Sequence, residues 1–159
     1  MGDGGGCHPR DNIAMSYLSD KLNLSHNWFE HIMQQREKQT EWLVELIIEN
    51  IKNFKVNILG KSFKAESNLT LGSPAILLQN LLKEKNVKAN IWDPIVDQKL
   101  EEYSKKYSWD KEAQLFFIAT KHEEFNKFPF YSGSVVIDPW RYISPRNDIK
   151  IIRVGDSKK

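Results

Sequence analysis

The sequence predicts an α/β fold: a parallel sheet over residues 55–159 behind a helical segment over residues 1–54. Two observations carry this. Apolar residues before position 54 recur at helical spacing, as at Leu43, Leu46, Ile47, Ile51 and Phe54. Beyond Lys55, short continuous apolar runs alternate with amphipathic stretches. Strands apolar on both faces belong to a parallel sheet covered on both sides.

The elements follow in order. After Pro9 a first helix is expected near Asp11 or Asn12, with Asp11 as N-cap and Ala14, Leu18 and Leu22 on one face. Asn23-Leu24-Ser25 breaks that pattern, and Ser25 is placed to cap a second helix opening at Trp28 and Phe29. This second stretch is one long helix or two joined near Thr40. A helix pair with apolar faces and no sheet of its own packs on the rest of the chain, on a neighbouring segment or on another subunit. Residues 56–60 then read as a buried strand and 61–72 as a loop. Ser73-Pro74 is a helix start, with a capping hydroxyl and a proline at the first helical position. Strands are expected at 87–92, 115–119, 134–138 and 149–154, with a polar helix at 97–107 and a short helix or turn at Phe125; Asp93, at the end of the 87–92 strand, reads as a turn residue rather than a ribose contact because Pro94 follows. Right-handed crossovers between such strands make the sheet Rossmann-like. Ligands on these sheets bind beyond the carboxyl ends of the strands.

Composition excludes several classes. Among 159 residues the formal charge is only +2, and no basic cluster is interleaved with aromatics, so nucleic acid is not an expected partner. The longest apolar runs are far too short to cross a bilayer. The opening MGDGGGCHPRD has no apolar segment of the signal-peptide kind, so no membrane association is expected and a cytoplasmic location is. Cys7 is the single cysteine, which rules out an internal disulfide.

Chemistry concentrates in Gly4-Gly5-Gly6-Cys7-His8-Pro9-Arg10-Asp11. Glycines let the backbone approach a ligand closely and take positive φ. A thiol beside a helix N-terminus, with Arg10 near, is placed to ionise. Asp11, four residues on, can orient a water or act as a base. On the residues alone, a plain terminal segment with a chance cysteine is the more economical reading. Lys64, on the same terms, is a solvated loop lysine.

The segment resembles Gly-Gly-x-Cys-x-Pro-[Lys/Arg]-Asp, the cysteine loop of the UDP-glucose/GDP-mannose dehydrogenase family of nucleotide-sugar 6-dehydrogenases. Further matches follow in family order. Arg36-Glu37-Lys38-Gln39 resembles Asn-x-x-Gln, and Ile58-Leu59-Gly60-Lys61-Ser62-Phe63-Lys64 resembles Ile-Leu-Gly-x-x-Phe-Lys. Gly72-Ser73-Pro74-Ala75, Ile91-Trp92-Asp93-Pro94, Thr120-Lys121-His122-Glu123-Glu124-Phe125 and Val135-Val136-Ile137-Asp138 match later family segments.

The resemblance implies a function. Such an enzyme oxidises the C6 hydroxymethyl of a UDP-sugar to a carboxylate with NAD, through a cysteine thiohemiacetal and thioester. Cys7 matches the nucleophile and Asp11 the water-activating carboxylate. Gly5 and Gly6 match the backbone lying against the sugar, and Lys64 matches a substrate-contacting lysine. His8 is read as loop packing. Residues 55–159 become the UDP-binding domain and 1–54 part of a central dimerisation domain. NAD is expected on a Gly-x-Gly-x-x-Gly domain outside these residues, so the chain alone is expected to be inactive. Its partners are then an N-terminal half or a second copy. The alternative is a non-catalytic nucleotide-binding or dimerisation module. Three departures stand out: a family arginine position falls at Leu71, Gly72 stands where glutamate is common, and Asp138-Pro139-Trp140-Arg141 has an extra step before its arginine.

Overall fold

A computed structural model describes residues 4–97 and 99–155. Two helices come first, α1 over Cys7–Lys21 and α2 over Trp28–Ile51. A parallel sheet follows, made of β1 (Val56–Leu59), β2 (Ala89–Trp92), β3 (Leu115–Ile118), β4 (Val135–Asp138) and β5 (Lys150–Arg153). Between these strands run α3 (Pro74–Glu84), α4 (Leu100–Tyr107) and a 3-10 turn (Glu123–Lys127). The spatial order β2-β1-β3-β4-β5, with every pair parallel, is the predicted Rossmann-like sheet.

The pleat divides the core in two. Val56, Ile58, Leu115, Phe117, Val135 and Ile137 face α2 and α3. Leu59, Phe116, Ile118 and Val136 face an aromatic layer containing Trp92, Trp109, Phe125 and Phe128. Alternation within runs that look uniformly apolar is what a strand buried on both faces requires. The second half of α2 joins the first of these layers, with Leu43, Val44 and Ile47 buried among sheet residues.

The helical segment departs from expectation in detail. The first helix starts at Cys7, not at Asp11 or Asn12, and its N-cap is Gly6, without a side-chain cap. Pro9 is therefore inside the first turn, where its missing N–H has no intrahelical partner to lose. Asp11 is a helical residue and not a cap. The second helix is continuous across Thr40 and is capped by Asn27, not Ser25. The Asn27 Oδ1 accepts from Glu30 N at 3.1 Å, while its Nδ2 donates to Ser16 Oγ at 2.8 Å and Asp20 Oδ1 at 3.0 Å. One side chain thus starts α2 and fastens α1 to it. The second strand begins at Ala89 and α4 at Leu100, both later than the pattern suggested. Asp97 is diverted into the loop, where it accepts Asp93 N at 3.0 Å and Lys61 Nζ at 3.1 Å.

Candidate functional site at the carboxyl edge of the sheet

The carboxyl ends of β1, β2 and β3 are tied together by one carboxylate. Asp93, fully buried after β2, accepts at Oδ2 from Lys61 N (2.8 Å), Ser62 N (2.9 Å), Ser62 Oγ (2.8 Å) and His122 Nε2 (3.1 Å). Its Oδ1 accepts from Ile95 N at 3.0 Å. Burial by itself would raise the carboxyl's pKa. The hydrogen bonds from His122 and from the amides of Ser62, Lys61 and Ile95 outweigh burial and hold it well below the usual carboxylate range. The turn reading of Asp93-Pro94 therefore holds in part: Asp93 makes the turn and also fixes the loop after β1.

That loop is held from a second side. Thr120 Oγ1 donates to Ser62 O at 2.7 Å. Gly60 has φ +98°, and a β-carbon there would lie 2.5 Å from Thr120 Cβ, so β1 and β3 approach this closely only with glycine at position 60. Tyr142 OH donates to the carbonyl of buried His122 at 3.1 Å. Burial, then the charges of Asp138 and Glu124, push the Tyr142 hydroxyl pKa upward, so it stays a donor.

Beyond these tethers lies a cleft of about 260 Å³, lined by Ser62, Phe63, Lys64, Thr120, Lys121 and Trp140 among others. The indole of Trp140 is fixed from behind: its Nε1 donates to Ile118 O at 3.1 Å, and its backbone N donates to Asp138 Oδ1 at 3.0 Å. Arg141 turns the other way, with Nε donating to Val154 O at 3.4 Å. The extra residue before the arginine thus presents an aromatic ring to the cleft and sends Arg141 toward β5. Lys64 lies at the rim, exposed, its Nζ 5.5 Å from the Phe63 ring centre.

The glycine loop sits against the entrance to α3. Gly5 is buried at φ +82°, with the Phe63 ring 3.1 Å from the position a β-carbon would take, and its N–H donates to Gly72 O at 3.3 Å. Gly6 faces Leu71. The structure therefore brings Gly5 and Gly6 to the segment that carries Lys64. Cys7 and Asp11 stand on the same face of α1, one turn apart, and both are exposed. Asp11 is paired with Arg10 at 2.8 Å. Neither Cys7 nor Asp11 lines the cleft. His8, expected to pack within a loop, is instead an exposed residue of the first turn of α1.

The site was only partly visible in the sequence. Trp140 was missed as a cleft residue, and its sole signal was the lengthened turn after Asp138. The residues here do not fit a dinucleotide cradle. No Gly-x-Gly-x-x-Gly follows β1, and the first-turn amides of α3 are already used. Ala75 N donates to Ser73 Oγ, and Ile76 N and Leu77 N donate to Ser73 O. Among the described residues no group of His, Cys, Asp or Glu could hold a metal ion, and no helix is long and apolar enough to cross a membrane.

Known proteins share this fold. The chain is 30% identical over 153 residues to the GDP-mannose 6-dehydrogenase of Pseudomonas aeruginosa, covering 96% of this chain and 31% of that protein. It is 21% identical to the UDP-glucose 6-dehydrogenase TuaD of Bacillus subtilis, covering 92% of this chain and 34% of that protein. It spans about a third of the length of these curated relatives. Its fold is that of a solved GDP-mannose dehydrogenase from Pseudomonas aeruginosa, with TM-score 0.73 and 21% identity over 95% of this chain and 39% of the other. A UDP-glucose dehydrogenase from Pyrobaculum islandicum also superposes with TM-score 0.73, at 23% identity over 96% of this chain and 37% of the other. Residues 57–145 match the family model described as "UDP-glucose/GDP-mannose dehydrogenase family, UDP binding domain". The chain belongs to the UDP-glucose/GDP-mannose dehydrogenase family, and its parallel sheet is that family's UDP-binding domain.

Proposed function

We propose that this chain is the C-terminal part of an NAD-dependent nucleotide-sugar 6-dehydrogenase that oxidises the C6 hydroxymethyl of a UDP-sugar to a carboxylate. In this reading residues 55–159 hold the nucleotide and residues 1–54 belong to a central domain. The observation that carries it is the seating of the Gly5-Gly6 loop, which ends in Cys7, against the Phe63–Gly72 segment that bears Lys64. One mount then serves a nucleophile and a cation for the ligand's oxygens.

The chemistry assigned to these residues is limited and specific. The Cys7 thiolate adds its electron pair to the carbon of the C6 aldehyde, and the carbonyl pair moves to oxygen, giving a thiohemiacetal. Loss of hydride from that carbon leaves a thioester. Water, oriented by the Asp11 carboxylate, adds to the thioester and expels the thiolate, leaving the carboxylate product. NAD supplies the hydride acceptor for the oxidations and is held by parts of the protein outside these residues. For Asp11 to act, its ion pair with Arg10 must open, which costs little because both side chains are exposed.

The chain alone is then inactive. Its partners are an N-terminal half or a second copy, and α1 offers a surface for either. Ile13, Tyr17, Leu22 and, on α2, Trp28 are large apolar residues left exposed. The test is complementation: mix the chain with a family NAD-binding half and follow NADH formation from UDP-glucose and related UDP-sugars. Turnover is expected with the mixture, and Cys7→Ala is expected to abolish it. Undiminished NADH formation with Cys7→Ala overturns the assignment.

A further inference from the structure

The thiol loop leads into α1 and is also anchored from outside that helix, by a backbone interlock between two glycines far apart in sequence. Gly72 has φ +67°, and a β-carbon there would collide with the Gly5 carbonyl. The Gly5 N–H donates back to Gly72 O at 3.3 Å, and the Phe63 ring closes the other side of Gly5. Gly4 rests on the ring of Pro74, with 3.2 Å from its would-be β-carbon to Pro74 Cδ. Gly72 leads directly into Ser73, the cap of α3, and α3 is rooted in the core through Leu78 and Leu82, both fully buried. A rigid path therefore runs from the sheet through α3 and Gly72 to Gly5, two residues before the thiol.

We propose that Gly72 is a positioning residue for Cys7: its lack of a side chain seats the Gly5 carbonyl on the α3 entrance and so sets the spacing between the thiol and the loop bearing Lys64. This rests on the reading of Cys7 as the nucleophile. It explains why position 72 carries glycine. A left-handed backbone is open to other residues at some cost, but the approach of the Gly5 carbonyl is open to glycine alone. Phe63 acts as the second jaw, and since Lys64 follows it directly, both functional side chains share the mount.

The test uses the complemented enzyme and, in parallel, UDP binding to the 159-residue chain measured by calorimetry. Gly72→Ala is expected to lower kcat at least tenfold. KM for the UDP-sugar and the chain's Kd for UDP are expected to stay within twofold, because the Lys64 side of the mount is still pinned by Asp93. If Gly72→Ala does not fold, Gly4→Val crowds the Pro74 ring and lifts the same loop off the interlock without a strained backbone at position 72. It carries the same expectation for kcat, with UDP affinity of the chain held within threefold. A kcat within twofold of the parent in the folded variant overturns the proposal. So does a loss of kcat matched by an equal weakening of UDP, since that is general loop collapse. Retained activity in Cys7→Ala defeats the nucleophile reading instead, whereas an inactive Cys7→Ala beside a normal Gly72→Ala defeats only the role of Gly72.

Discussion

At the residue scale, Asp93 is a fully buried carboxylate that joins three loops. A buried carboxylate is tolerated only when its lone pairs are satisfied, and here His122, Ser62, Lys61 and Ile95 satisfy them. Removing it strands donors from three loops, so Asp93→Ala should cost about 3–5 kcal/mol of stability, measured by urea unfolding. The pH dependence has a fixed sign. Because the native carboxyl is held below its ordinary value, its contribution is complete above about pH 4, where the unfolded side chain is ionised. It is lost as pH falls through the depressed native pKa. The stability difference between the parent and Asp93→Asn should therefore be constant near neutrality and shrink below about pH 4. Equal acid sensitivity in both would contradict the account. The sequence marked Asp93 as a strand-end turn residue, because Pro94 follows. It did not mark the fixation of the β1 loop, because Ser62 and His122 reach Asp93 only once β1, β2 and β3 are aligned.

At the element scale, periodicity located every strand, since short apolar runs bounded by turn residues have few other uses in a chain of this composition. The helix boundaries were less legible, for identifiable reasons. Pro9 reads as a boundary but is equally at home in a first turn. Ser25 and Asn27 are both competent caps, and the choice fell to Asn27 because its amide also reaches Ser16 and Asp20 on α1. The role of α2 was half visible. Its spacing announced an apolar face, but only the fold shows that Leu43, Val44 and Ile47 belong to the core beneath the sheet. Ile47 is fully buried, while its neighbour Ile48 is 38% exposed. Ile47→Ala should therefore destabilise the chain by about 2–5 kcal/mol, and Ile48→Ala by far less, in paired thermal or urea unfolding. Similar losses at both positions would mean that α2 packs differently.

At the scale of the whole molecule, a nucleotide-binding sheet and a thiol loop from a helical segment meet at one edge. The ordered motifs made the family recognisable from the sequence. The contact that joins its two ends, Gly5 with Gly72, was not, because glycine carries no side-chain signal and the two positions are brought together only by the fold. The departure at Gly72 looked like a lost family residue, and in the fold it is the residue that admits the Gly5 carbonyl. The most direct measurement is peptide mass mapping of the complemented protein, acid-quenched during turnover of a UDP-sugar, with Asp11→Asn used to slow hydrolysis. An acyl adduct of the oxidised sugar nucleotide is expected on the Cys7 peptide, more abundant in Asp11→Asn than in the parent. Steady turnover with Cys7 unmodified throughout would contradict the role of Cys7.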